Sequence, residues 1–357
     1  MPCHDRRVTA VRTPRLLLRP LTDDDVTDPR ILLWHTDPEG YVLMAETPRT
    51  EAEAVDALTR WRRQWADEGH GYWIAEQGGE PVGIGGVRAM SYEGTRHLNL
   101  YYRLAPEGRG QGFATEIARA ATEFAAEHFP QLPVVARVAP TNEPSLRTIR
   151  RTAMHELGPF RLPHDPPELR DNLLFQAPAV RFGIGDAYDD VLDLWQRVNA
   201  AGGAVGFEGA APRADVAAAL DQHLRSERCT LVRIHAPTYD TFEQPGRVGA
   251  LLGLGFVQLG TSRVAAHRAT LYRVMTDPDL RARGYGRLLM AALHGTARRE
   301  GAEICEIAYR GGTGLESFYA PLGYVETGRV VGGLRFSWGD VDDVAMARRL
   351  SCSRTGR

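Results

Sequence analysis

The sequence contains no lysine, and all 43 of its basic residues are arginines. These are nearly balanced by 45 acidic residues, so the net charge is −2 at pH 7. A protein whose main partner is DNA or RNA usually carries a basic surface. The balanced charge therefore argues against nucleic acid as the main partner.

Cysteine is also scarce, and no apolar run approaches the roughly 18 residues that a membrane-spanning helix needs. The few cysteines and the histidines at 70, 97, 128 and 155 lack metal-ligand spacing, so we expect reduced thiols and no metal site. The first residues lack the apolar segment of a secretion signal, and we expect a cytoplasmic protein. The four cysteines are Cys3, Cys229, Cys305 and Cys352.

One short pattern occurs twice, at 109–114 (RGQGFA) and at 281–286 (RARGYG). Both copies read R-x-x-G-x-(A/G) and have a proline three residues upstream of the arginine. Each follows an apolar, strand-like segment, at 98–104 and at 270–276, and each opens a helical pattern rich in Ala and Leu. Because the context repeats along with the motif, the pattern indicates a duplicated unit.

Each copy predicts a cradle for a pyrophosphate group. Glycine adopts positive φ without strain and lets backbone N–H groups approach a phosphate closely. The N-terminus of the following helix favours an anion, and the arginines add charge that strengthens the hydrogen bonds. A chain of 357 residues has the length of about two domains, which fits one cradle in each half.

With these motifs the chain resembles the GNAT superfamily of N-acetyltransferases twice over, across roughly residues 10–176 and 180–350. The first half is similar to the branch that acetylates the N-termini of ribosomal proteins, through 13–21 (TPRLLLRPL) and 142–145 (NEPS). The second half is similar to small-molecule acetyltransferases of the tabtoxin-resistance type. That similarity rests on 267–269 (HRA), 289–293 (LMAAL) and 315–324 (LESFYAPLGY).

The resemblance implies two α/β domains, residues 1–177 and 178–357, each a twisted mixed β-sheet flanked by helices. It also implies acetyl-coenzyme A or another acyl-coenzyme A as co-substrate, with its pyrophosphate on the loop and its pantetheine along the preceding strand. The coenzyme-binding residues expected in the first half are Tyr102, Arg103, Leu104, Arg109, Gly110, Gln111, Gly112, Phe113, Ala114, Thr115, Asn142 and Ser145. Those expected in the second half are Val274, Met275, Thr276, Arg281, Ala282, Arg283, Gly284, Tyr285, Gly286 and Arg287.

Hydrophobic periodicity and turn residues predict the element order β-α-β-β-β-α-β-α, which is that of the superfamily. In the first half they predict helices Glu51–Glu68 and 112–128, a hairpin of 73–76 with 81–88, strands 134–138 and 173–175, and an irregular proline-containing stretch over 159–167. In the second half they predict helices 186–199, 215–225 and 286–299, strands 180–184, 230–234, 249–259 and 303–308, a loop over 236–247, and terminal strands 335–338 and 343–348.

The resemblance implies that Tyr319 is the acid that protonates the sulfur of coenzyme A. A phenol with a pKa of about 10 suits a thiol leaving group whose pKa is about 8.5. The first half has no tyrosine in the equivalent place, and Asn99 stands where many relatives carry Glu. The second half has Thr270 where its relatives have Glu, so the general base stays open among His267, Tyr272, Asp277 and water.

The leading hypothesis is an acyl-coenzyme A-dependent N-acyltransferase that acts on a small amine, such as an antibiotic or a natural-product intermediate, mainly through its second half. One alternative uses an acyl carrier protein as donor, because a phosphopantetheine arm enters the same cleft. A protein N-terminus is another possible acceptor. In a third alternative the first half is a non-catalytic scaffold or sensor that binds acyl-coenzyme A.

Overall fold

The computed structural model describes residues 10–44, 47–92, 94–162, 171–203, 205–239 and 247–350. They form two mixed β-sheets, one of eight strands and one of seven, with helices on both faces of each. The α/β fold class inferred from the sequence is therefore confirmed. Among the described residues, no helix combines the length and the apolar character that crossing a membrane requires.

The first sheet has the strand order β1-β2-β3-β4-β5-β6-β8-β7, and only β5 and β6 run parallel. Its strands are β1 (Val11–Arg12), β2 (Leu17–Pro20), β3 (Tyr72–Gln77), β4 (Glu80–Tyr92), β5 (Thr95–Leu104), β6 (Val134–Val138), β7 (His155–Phe160) and β8 (Asn172–Gln176). Its helices are α1 (Asp23–Thr27), α2 (Pro29–Thr36), α3 (Glu51–Glu68), α4 (Phe113–His128) and α5 (Glu143–Ile149).

The second sheet has the order β14-β15-β13-β12-β11-β10-β9, and only β12 and β13 run parallel. Its strands are β9 (Ala179–Phe182), β10 (Cys229–His235), β11 (Leu251–Leu259), β12 (Arg268–Thr276), β13 (Ile304–Arg310), β14 (Val325–Phe336) and β15 (Gly339–Arg349). Its helices are α6 (Tyr188–Ala200), α7 (Arg213–Leu224), α8 (Tyr285–Arg299) and α9 (Glu316–Tyr319). The domain boundary proposed between 177 and 178 lies between β8 and β9.

Each sheet has an apolar core on both faces. In the first half, Phe113 of α4 packs on one face and Leu58 of α3 on the other. In the second half, Leu289 of α8 and Trp195 of α6 occupy the corresponding places. Both halves are therefore three-layer sandwiches in which the helix after the repeated loop, α4 or α8, covers one face.

The two halves are joined through α4 and α8. Gly295 of α8 lies so close to the backbone of Glu127 on α4 that a Cβ at this position would overlap the Glu127 carbonyl. Two ion pairs flank this contact, Arg287 with Glu123 at 2.7 Å and Arg298 with Glu127. The helices that carry the two predicted cradles therefore also form the joint between the halves.

Two predictions about elements were wrong. Residues 159 and 160, predicted as irregular chain, belong to β7 (His155–Phe160), and Pro159 is tolerated there because β7 is an edge strand. The two short terminal strands are one long hairpin of β14 and β15, and Trp338 lies in its turn. Of the stretches predicted as irregular or loop, 163–170 and 240–246 lie outside the described residues.

Candidate active site

Each sheet opens where its two parallel strands diverge. β5 and β6 pair only at Leu98–Val134 and Asn99–Val135, although β5 continues to Leu104. β12 and β13 pair only from Arg268–Ile304 to Thr270–Glu306, although β12 continues to Thr276. Beyond these points the backbone of β5 and of β12 has no strand partner on that side among the described residues, so an extended ligand can pair with it.

The repeated loops have the same backbone conformation in both halves. Arg109 and Arg281 are extended, and Gly112 and Gly284 have φ of 81° and 89°. Directly after each arginine, Gly110 has φ of 75° and Ala282 has φ of 63°. A non-glycine residue at positive φ costs of the order of 1–3 kcal/mol, so Ala282 keeps the shape of the loop at an energetic cost.

The loops leave the first N–H groups of α4 and α8 free to bind an anion. Within the described residues, neither helix has a side chain that caps its N-terminus by a hydrogen bond. The first turns of these helices contain Ala114 and Thr115 in one half and Gly286 and Arg287 in the other. Exposed N–H groups, positive φ and nearby arginines fit the pyrophosphate of coenzyme A.

The strands that line the two clefts differ. In β12, Arg273 and Val274 lie opposite the single residue Gly255 of β11, which defines a β-bulge, and Arg273 has φ of 53°. β5 pairs with β4 without interruption from Thr95 to Leu104. A bulge removes backbone groups from the ladder, so within the described strands β12, unlike β5, has further backbone groups that its antiparallel neighbour does not pair.

In the first half the walls of the cleft are bridged by side chains. The Tyr102 hydroxyl lies 2.8 Å from the Ser145 hydroxyl, and burial raises the pKa of Tyr102 to about 12. The Asn142 side chain accepts a hydrogen bond from the Ser145 N–H at 3.2 Å and so caps α5. The structure thus brings three predicted residues of the first half together, already bonded to one another.

In the second half, Tyr319 lies on α9 beside the start of α8. Its ring is 8% exposed and packs against Tyr309 and Tyr324, and burial raises the pKa of its phenol to about 12. The adjacent Phe318 contacts Gly286 in the first turn of α8. Within the part of the chain that the structure describes, no hydrogen bond engages the Tyr319 hydroxyl, which leaves it free to donate a proton.

Two models of known protein families match the chain, one in each half. Residues 15–155 match a family model described as acetyltransferase (GNAT) domain, and residues 250–336 match a second model with the same description. The chain belongs to the GNAT acetyltransferase family. It carries two GNAT domains in tandem and is an acetyltransferase, and the GNAT fold implies acetyl-coenzyme A as co-substrate.

Solved structures that resemble the chain each cover about half of it. An acetyltransferase from Agrobacterium tumefaciens is 23% identical and covers 47% of this chain and 94% of its own, with a TM-score of 0.39. The ribosomal-protein-S18-alanine N-acetyltransferase from Escherichia coli is 16% identical, with 50% and 98% covered and a TM-score of 0.39. A putative phosphinothricin N-acetyltransferase is 15% identical, with 49% and 100% covered and a TM-score of 0.41.

The first GNAT domain has a further cation at its cradle, Arg15, which the motif did not predict. The Arg15 guanidinium donates to the Gln111 carbonyl at 2.7 Å, pairs with Glu116, and lies 4.7 Å from the centre of the Phe113 ring. Arg103, by contrast, turns away from the cradle. It donates to the Tyr101 hydroxyl and the Trp34 carbonyl, both at 2.9 Å.

The cradle of the second GNAT domain touches the first domain. The Tyr285 hydroxyl, directly after Gly284, lies 2.9 Å from Nε2 of His155 on β7. Ala153 is the nearest neighbour of a Cβ built on Gly284, at 3.8 Å. No sequence pattern links these residues, because they come from different domains.

The candidate bases of the second domain lie apart from one another. His267 is exposed just before β12, at the end of the strand farther from the cradle. Asp277 pairs with Arg197 at 3.0 Å and accepts a hydrogen bond from the Asp279 N–H. The Tyr272 ring lies 6.0 Å from that of His223. Asp277 is thus committed to structural contacts, and none of the three is assigned as the base.

Proposed function

We propose that the second GNAT domain transfers the acetyl group of acetyl-coenzyme A to the amine of a small molecule, and that the first domain does not catalyse this reaction. The observation that carries the proposal is the unengaged, protonated phenol of Tyr319 beside the second cradle. In the first domain, the hydrogen bond between Tyr102 and Ser145 crosses the corresponding cleft, and β5 pairs with β4 without a bulge.

Acetyl-coenzyme A supplies a thioester whose carbonyl the amine attacks. The free N–H groups around Gly284, together with Arg281 and Arg283, hold the pyrophosphate, and the unpaired edge of β12 from Val274 to Thr276 aligns the pantetheine. The bulge at Arg273 and Val274 supplies backbone groups for the developing oxyanion. One such donor contributes about 10²–10³-fold in rate in other acyl-transfer enzymes.

Tyr319 protonates the departing sulfur. The phenol is protonated at neutral pH, and because burial raises its pKa to about 12 it is a weaker acid than a free phenol, so it gives up its proton only as charge develops on the sulfur. The apolar rings around it restrict water, so the proton goes to the leaving group rather than to solvent. A cradle shaped for pyrophosphate favours free acetyl-coenzyme A over an acyl carrier protein as donor.

Hydrogen bonds fix the loop between α6 and α7, and this arrangement favours a small acceptor. The Ser337 N–H, in the turn between β14 and β15, donates to the Glu208 carboxylate at 2.9 Å. Arg310 on β13 donates to the Gly202 carbonyl at 3.0 Å. These contacts draw the β14–β15 turn and β13 to the loop beside the cleft, which restricts the space for a protein chain.

Calorimetric titration with acetyl-coenzyme A tests the proposal. We expect binding whose tighter site is lost in Gly284→Glu, where a carboxylate faces the pyrophosphate, and is kept in Gly112→Glu. The milder Gly284→Ala should weaken that site, because alanine is strained at positive φ. No binding by the folded protein, or tight binding unaffected by both Gly284 variants, would contradict the proposal.

A further inference from the structure

Arg273 is a half-buried arginine without an anionic partner. Its Nε atom is buried, and no hydrogen bond or ion pair engages it within the described residues. Its guanidinium carbon lies 5.7 Å from the centre of the Trp195 ring. Neighbouring arginines differ in this respect, since Arg197 pairs with Asp277 and Arg268 pairs with Glu306.

The surrounding chain is shaped to hold this side chain. A Cβ on Gly206, in the α6–α7 loop, would overlap the Arg273 guanidinium, so this glycine creates the room for it. Arg273 also has φ of 53°, an uncommon conformation for a residue other than glycine. The glycine at 206 and the positive φ of Arg273 are therefore two unusual backbone features beside the same unpaired cation.

The position of Arg273 separates it from the cradle. Leu271 and Val274 of the same strand pack on the α8 side of the sheet, together with Tyr319. Arg273 instead contacts Trp195 of α6 on the opposite face. The guanidinium therefore borders the cleft beyond the point where β12 and β13 diverge, on the face away from the helix that binds pyrophosphate.

Burying an unpaired cation costs free energy, and an anionic ligand would offset that cost at this position. Burial lowers the pKa of Arg273, which reflects the cost of keeping the charge out of water. The titratable groups that interact electrostatically with Arg273 are His223 and Tyr272, and neither is a carboxylate. A planar guanidinium with free N–H groups matches a carboxylate in a two-point contact.

We propose that Arg273 selects the acceptor by binding a carboxylate on it, so that the substrate class is a small amine that also carries a carboxylate, as amino acids do. This inference rests on the proposed function, since it specifies the acceptor of that same site. The Arg273 side chain determines specificity; its guanidinium moves neither the proton nor the acetyl group, and the oxyanion role given above belongs to the backbone of the bulge.

The test compares matched acceptors in which a carboxamide replaces the carboxylate, each assayed at a pH where the free-amine fraction of both is known. Amino acids and their carboxamides, for example methionine with methioninamide and leucine with leucinamide, are assayed by thiol release from acetyl-coenzyme A. We expect kcat/KM to favour the carboxylate member of at least one pair by about 10- to 100-fold, the effect of hydrogen bonds to a charged group. Arg273→Gln should remove the preference through the acceptor KM, with the KM for acetyl-coenzyme A unchanged.

Two further variants control the comparison. Arg268→Gln, on the same strand but paired with Glu306, should keep the preference, and Arg273→Lys should restore part of it. Equal turnover of carboxylates and carboxamides, or a preference that survives Arg273→Gln, overturns the role of Arg273 and leaves the proposed function standing. If acetyl-coenzyme A binds but no amine of the panel releases thiol, the small-amine acceptor itself fails.

Discussion

The phenol oxygen of Tyr102 lies 2.8 Å from the hydroxyl oxygen of Ser145, and this hydrogen bond joins β5 to α5 across the first cleft. Tyr319, on the helix that follows the second cleft, makes no such bond within the described residues. The two tyrosines have similarly raised pKa values, about 12 in both cases, because both are buried. Their difference is therefore one of hydrogen bonding and position, not of acidity.

Tyr319→Phe removes the proposed acid while keeping the ring that packs on Tyr309. We expect kcat to fall by about 10²–10⁴-fold, with the KM for acetyl-coenzyme A little changed. Tyr102→Phe is the matched control, and it should lower stability by about 1 kcal/mol through the lost hydrogen bond without altering kcat. Steady-state thiol release measures both variants. Full kcat in Tyr319→Phe would remove the assigned role.

The contact between Tyr285 and His155 predicts that the first domain positions the second cradle. Tyr285→Phe should weaken acetyl-coenzyme A binding by about 2- to 10-fold, because one hydrogen bond of about 0.5–1.5 kcal/mol no longer fixes the first turn of α8. His155→Phe should have the same effect, and the double variant should be no worse than either one. Calorimetry measures all three, and additive losses would show that the two residues act separately.

Gly295→Ala tests the joint between α4 and α8. In an isolated helix this change is favourable by about 1 kcal/mol, but here the new Cβ meets the Glu127 carbonyl. We expect net destabilisation of about 1–3 kcal/mol in denaturant unfolding, as for other overpacked contacts. Gly328→Ala is the control, because a Cβ there meets nothing within 4 Å. Equal stability of the two variants would contradict the close approach of the helices.

Two buried histidines, His35 and His294, and the partly buried His128 predict acid sensitivity. Burial lowers the pKa of His35 and of His294 to about 3 and that of His128 to about 4, from 6.5. Below pH 6.5 the unfolded chain binds protons that the native protein does not, so the free energy of unfolding should fall progressively from pH 6.5 towards pH 4. Denaturant unfolding at pH 7.5, 6 and 5 measures this dependence.

His35 gives a clean variant for that experiment. Neither of its ring nitrogens makes a hydrogen bond within the described residues, so His35→Leu removes a titrating group without breaking a bond. The variant should lose stability less steeply than the native protein over the same pH range. An identical slope for the two proteins would show that His35 is not held neutral in the fold.

Elements whose signals are local could be predicted from the sequence. Helix α3 has the predicted bounds because Thr50 and Glu53 form a capping box and Gly69 ends it in the left-handed conformation. Strand β6 also has its predicted bounds, and both helices after the repeated loops begin within one residue of the prediction. The binding roles assigned to the loop residues stay predictions.

Features made by distant residues could not be predicted. The place of the Arg273 guanidinium depends on room left by Gly206, and the close approach of Gly295 depends on a helix of the other domain. His155 and Tyr285 likewise meet only because the two domains pack together. Such contacts leave no periodicity or spacing in the chain, and they are the features that distinguish the second cleft from the first.

Turnover of matched cradle variants shows which of the two domains performs the transfer. Gly112→Glu and Gly284→Glu place the same side chain at equivalent positions with φ of 81° and 89°. With both proteins shown to be folded, we expect amine-dependent thiol release to persist in Gly112→Glu and to be abolished in Gly284→Glu. Release that survives in Gly284→Glu and disappears in Gly112→Glu would assign the chemistry to the first domain and contradict the account.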